Sequence, residues 1–89
     1  MIRRTTTIIN KLGLHARAAA KLVATASKFD SVVTIARDGR EVSAKSIMPV
    51  MMLAASQGVE VELIVDGDDE AEAMEAIVAL IEDYFGEGE

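Results

Sequence analysis

Cysteine and tryptophan are absent from the 89 residues, proline occurs once, aromatic side chains make up 3%, and no lysine or arginine follows Lys45. Each shortage excludes something. Without cysteine there can be no disulfide framework, thiolate metal site or redox pair, so the chain must stand on a hydrophobic core. The longest apolar run, Ile47–Ala55, is nine residues long and contains Pro49, against the roughly 20 that a membrane-spanning helix needs. The opening Met1-Ile2-Arg3-Arg4-Thr5 is basic but passes into threonines rather than an apolar signal core. The expectation is a cytoplasmic protein with no membrane insertion. Few aromatics and a net charge of −6 leave neither the phosphate attraction nor the stacking surfaces on which nucleic-acid binding depends.

What is present suits one compact domain spanning residues 1–89, with 51% hydrophobic residues, enough for a single core. The charge is divided along the chain. Residues 1–45 carry all nine bases and only Asp30, Asp38 and Glu41, a balance of +6, whereas residues 46–89 carry twelve acids and no base. Such asymmetry points to a ligand or partner met by one end of the molecule.

Turn signals separate seven short elements. The β-branched run Arg4–Ile9 predicts a strand ended by Asn10–Gly13. From Ala16 to about Ser27, Ala19, Leu22, Val23 and Ala26 recur at helical spacing. Ser31–Ala36 and Arg40–Ser43 flank Asp38-Gly39, a pair suited to a tight hairpin turn. Ser46–Ser56 predicts a short helix, capped by Ser46 and closed by Gly58. Val59–Val65 alternates as a half-solvated strand, and after Gly67 the spacing of Met74, Ile77, Val78 and Ile81 predicts a helix to about Tyr84, with Asp68, Asp69 and Glu70 at its start. The order βαββαβα predicts an α+β fold in which helices cover one face of a mainly antiparallel four-stranded sheet, by analogy with split βαβ arrangements.

Lys11-Leu12-Gly13-Leu14-His15-Ala16-Arg17 places the sole histidine at the junction of the first strand and first helix. A helix start has backbone N–H groups without partners and a partial positive charge, so it welcomes an anion. A neutral imidazole nitrogen is a competent nucleophile near pH 7. A phosphoryl group placed on His15 would then face helix N–H groups and Arg17, whose guanidinium suits phosphate geometry. A lone histidine at this position could equally be a plain helix cap. No general base, metal cluster or Gly-rich nucleotide loop accompanies it, so the chain reads as something acted upon by a partner rather than a stand-alone enzyme. Neither a metal nor a cofactor is expected. Glu60 and Glu62 read as a solvated strand face, and Asp68, Asp69, Glu70 and Glu72 lack the spacing of a calcium loop.

Gly13-Leu14-His15-Ala16-Arg17, followed 29 residues later by Ser46-Ile47-Met48, resembles the HPr family of histidine-containing phosphocarriers of the bacterial phosphoenolpyruvate-dependent phosphotransferase system. The resemblance extends over essentially the whole chain. It implies an open-faced β-sandwich of four strands with three helices on one side. It also implies a monomeric carrier that accepts a phosphoryl group from Enzyme I on Nδ1 of His15 and passes it to Enzyme IIA-type proteins, with Arg17 stabilising the phosphate. Ser46 matches the family's regulatory position for a serine kinase/phosphorylase, and a phosphate at a helix N-terminus is tolerated while it alters any surface that docks there. Ile47, Met48 and Met51 would contribute to an adaptable docking patch. The chain has Ala18 where many members have proline, and Pro49 where many have none. Asn10-Lys11-Leu12-Gly13 and the acidic end also look similar to the nitrogen-branch carrier, NPr, which shares the mechanism and serves other partners. A further alternative is a regulator whose phosphorylation at His15 or Ser46 controls binding to a kinase or transcription factor.

Overall fold

The computed structural model describes residues 1–89 as β1 (Ile2–Thr7), α1 (Ala16–Ala26), β2 (Val32–Arg37), β3 (Arg40–Ser43), α2 (Ile47–Met52), β4 (Glu60–Asp66) and α3 (Glu70–Glu82), then a 3₁₀ turn at Tyr84–Gly86. The strands form one sheet in the order β1-β4-β2-β3, and every neighbouring pair is antiparallel. Because β1 and β2 are both antiparallel to β4, they run parallel to each other with β4 filling the gap. The βαβ unit is therefore split by the last strand, while β3 stays on the outer edge of β2 as its hairpin partner, turning at Asp38 and Gly39, both at positive φ.

Alternation decides which face is buried. Val61, Leu63 and Val65 of β4 and Val33 and Ile35 of β2 point into a core of 21 buried residues that α1 and α3 close with Leu22, Ile77 and Ile81. Burying a side chain of this size contributes about 1.5–3 kcal/mol. On the opposite face Arg3 pairs with Glu62 at 3.2 Å, and the exposed Glu60 also lies there. No helix is long and apolar enough to cross a membrane.

Several element ends differ from expectation, β1 among them, which spans Ile2–Thr7 rather than Arg4–Ile9. The short helix α2 stops at Met52, not Ser56, because Ala54 adopts a left-handed φ of 53°. Gly58, also left-handed, lies too far along to close it. The carbonyls released at that end are taken by arginines from the β2–β3 hairpin. Arg37 Nη1 donates to Leu53 O at 2.9 Å and to Ala54 O at 2.7 Å, which also sets positive charge at a helix C-terminus. Ser46 occupies the N-cap position of α2, but its side chain makes no capping bond.

At α3 the residue before the helix, Asp69, does not cap it either. Its carboxylate accepts from the backbone N–H groups of Asp30 and Ser31, both at 2.9 Å, and from the Ser31 hydroxyl. The Ser31 hydroxyl is the chief reason that its pKa lies below the ordinary aspartate value. Asp69 thus ties the start of β2 to the start of α3. Beyond Glu82 the chain departs furthest from the pattern, since Tyr84 and Phe85 both take positive φ and fold the tail back towards the first loop.

Candidate functional site

The first loop is built by close packing against another loop. Gly13 has a φ of +66°, and a Cβ there would fall 2.5 Å from the Ala55 carbonyl oxygen and 2.8 Å from Ser56 Cα. The close approach that needs glycine is thus made by the chain's own segment 55–56. Next to it, Leu14 N donates to Ala55 O at 2.9 Å. This seam orients the loop so that His15 arrives at the N-cap position of α1 in extended conformation, with φ −74° and ψ 177°.

The His15 side chain does not cap the helix. Its backbone carbonyl accepts the helix bond from Ala19 N at 2.8 Å, so the ring is free to serve another purpose. The N–H groups of Ala16, Arg17 and Ala18 have no backbone acceptor, and they lie where an anion is favoured. The ring lines an open cleft of about 600 Å³ with Lys11, Leu12, Arg17, Lys21 and, from the tail, Glu87 and Glu89. At 28% side-chain exposure it is reachable from solvent. Arg17 is exposed and forms neither an ion pair nor a side-chain hydrogen bond, so its guanidinium is uncommitted. Lys21 instead donates from Nζ to Phe85 O at 2.6 Å, and Lys45 to Phe29 O at 2.7 Å. Both lysines serve as braces.

Glu87 is the residue that sequence reasoning missed. It comes from the acidic half, where no site residue is expected from the sequence at the tail, yet one carboxylate oxygen contacts His15 Nε2 and the other accepts from Asn10 Nδ2 at 3.0 Å. Burial alone would raise its pKa, but the hydrogen bonds from Asn10 and His15, together with nearby positive charge, bring it below the ordinary glutamate value. Asn10 is fully buried, and its amide also donates to Gly13 O at 2.8 Å. The backbone closes the same seam where Lys11 N donates to Glu89 O at 3.0 Å.

Among the expected docking residues, Ile47 and Met48 are exposed at 42% and 67%, whereas Met51 is half-buried and packs on the core. The structure adds two exposed apolar side chains on the same helix and the first loop, Met52 and Leu12. No group of three or more histidine, aspartate or glutamate side chains is arranged to hold a metal ion.

The likeness to known proteins runs over nearly the whole chain. Residues 2–83 match the family described as PTS HPr component phosphorylation site. The chain is 63% identical to the phosphocarrier protein HPr of Cupriavidus necator, with the full length of both covered. It superposes with a TM-score of 0.95 on a crystal structure of HPr from Thermoanaerobacter tengcongensis, at 54% identity and 98% coverage of each chain. A crystal structure of an HPr dimer from the same organism gives a TM-score of 0.79 at 54% identity, covering 98% of this chain and all of the other.

Proposed function

The chain belongs to the HPr family of phosphotransferase-system phosphocarriers, and from that premise we propose that it accepts a phosphoryl group from Enzyme I on His15 and delivers it to Enzyme IIA-type proteins in the cytoplasm. The observation that carries the reading is the His15 ring standing at a helix start whose first N–H groups have no backbone acceptor, partly exposed to solvent and in the same cleft as an uncommitted guanidinium. The Nδ1 lone pair forms the new bond to phosphorus as the bond between phosphorus and its donor breaks. The negative oxygens then meet the first N–H groups of α1 and Arg17. Transfer onwards is the same displacement with the acceptor as nucleophile, so the chain is a covalent intermediate rather than a catalyst. One chain supplies every residue of the site, and the working unit in this reading is a monomer.

The test is incubation with phosphoenolpyruvate and Enzyme I, followed by mass measurement of acid-labile phosphate and of the size of the labelled species. One phosphate per chain on a monomer-sized protein is the expected result. Arg17→Ala should still label, at a rate about tenfold lower or less, because it removes a phosphate ligand and not the acceptor. An unchanged rate would show that Arg17 has no part in transfer.

Ser46 carries the regulatory part of the reading. Its hydroxyl makes no capping bond, and it stands immediately before the exposed Ile47 and Met48. A kinase could therefore modify it without breaking the helix, and the added charge would sit inside the apolar patch. Ser46→Asp should label several-fold more slowly while melting at the same temperature as wild type. Equal labelling rates would remove the regulatory role.

A further inference from the structure

Asn10, Glu87 and His15 form a hydrogen-bonded series whose direction is set from its buried end. The Asn10 amide is fully buried, and both of its N–H bonds are spent on oxygen acceptors, Gly13 O and Glu87 Oε1. Turning the amide over would set its oxygen against two other oxygens, so the donor must face Glu87. An ionised carboxylate only accepts, and its second oxygen meets His15 Nε2. The hydrogen of a neutral ring must then lie on Nε2, which leaves the lone pair on Nδ1. The tail is fixed well enough to impose this, with Phe85 fully buried, Lys21 holding the Phe85 carbonyl and Glu89 O bonded to Lys11 N.

We propose that Asn10 and Glu87 are positioning residues that select the Nε2–H tautomer of His15, reserve Nδ1 for phosphorus, and balance the positive ring formed on transfer. This deepens the carrier reading and rests on it. When the Nδ1 lone pair bonds to phosphorus, the donor leaves with its own electron pair. The ring, still carrying hydrogen on Nε2, becomes formally cationic. Lys11, Arg17 and Lys21 line the same cleft and oppose that charge. Glu87 is the carboxylate in contact with the ring, and Glu89 also lines the cleft. A carboxylate holding an imidazole in its productive tautomer and compensating the imidazolium is an established device of nucleophilic sites.

The discriminating variant is Glu87→Gln. Asn10 will hold the introduced carbonyl oxygen, so the amide NH₂ points at His15 Nε2 and forces that nitrogen to accept. The hydrogen moves to Nδ1 and blocks the nucleophile. In ¹⁵N spectra at alkaline pH the wild-type ring should show Nε2–H, Glu87→Gln should show Nδ1–H, and Glu87→Ala, free of either constraint, a mixture. Labelling by Enzyme I should be slower in Glu87→Gln than in wild type by on the order of tenfold or more, and slower than in Glu87→Ala. Matching amide spectra elsewhere in the chain establish that both variants fold. The same tautomer in wild type and Glu87→Gln, or equal labelling rates, would overturn the relay while wild-type labelling keeps the carrier reading intact. A wild-type chain that takes up no phosphate would overturn the carrier reading itself.

Discussion

His15→Ala, incubated with phosphoenolpyruvate and Enzyme I, should take up no acid-labile phosphate, against one per chain for wild type. The expectation is total loss because the chain has no other histidine and no cysteine, so no second nitrogen or thiolate nucleophile of this kind can stand in. The substitution also isolates chemistry from folding. The ring is partly exposed and makes no capping bond, and the bond that starts α1 comes from the His15 backbone carbonyl, which alanine retains. Glu87 loses one partner but keeps the Asn10 donor. Stability should therefore stay within about 1 kcal/mol of wild type, seen as a melting temperature shifted by only a few degrees. Labelling of His15→Ala at the wild-type rate would move the acceptor to another side chain and end the carrier mechanism at His15.

The part of the site that is legible in the sequence is local. Gly13, His15 and Arg17 are close in the chain, and a strand end followed by a helix start is enough to place them at one N-terminus. The partner of His15 is not legible, because Glu87 lies 72 residues away in sequence and arrives through backbone that its own residues do not announce. Tyr84 and Phe85 both adopt left-handed conformations, which β-branched and aromatic side chains seldom choose. They do so here because burial of Phe85 outweighs the local preference. The end of α2 fails for the same reason. Ala54 is a good helix former in isolation, yet two hydrogen bonds from Arg37 to the freed carbonyls fix the stop before it. Ser46 and Asp69 sit where caps are expected, but their side chains do not bond back to their helices. The interior apolar spacing of α1, β4 and α3 survives intact because the core enforces it.

Phe85 joins stability to the site, and Phe85→Ala should be the most destabilising of the changes considered. Its side chain is fully buried in the core cluster, and deleting a buried phenyl ring costs about 3–5 kcal/mol in lost transfer energy and residual cavity. A domain of this size is stable by on the order of 5–15 kcal/mol in total. At about 4–8 °C per kcal/mol, the melting temperature should fall by roughly 12–40 °C. The neighbouring Tyr84→Ala is the control, since Tyr84 is 38% exposed and its loss should move the midpoint by a few degrees at most. The second consequence falls on His15. The Phe85 carbonyl is the acceptor for Lys21, and Glu87 follows two residues later, so releasing the ring frees the turn that presents the carboxylate. At a temperature where Phe85→Ala is still folded, the His15 ring should lose its fixed Nε2–H tautomer while α1 and its free N–H groups remain. A variant that melts like wild type would show that the tail is not anchored by this side chain. One that melts early yet keeps the His15 tautomer would show that Asn10 alone is sufficient to hold Glu87 in place.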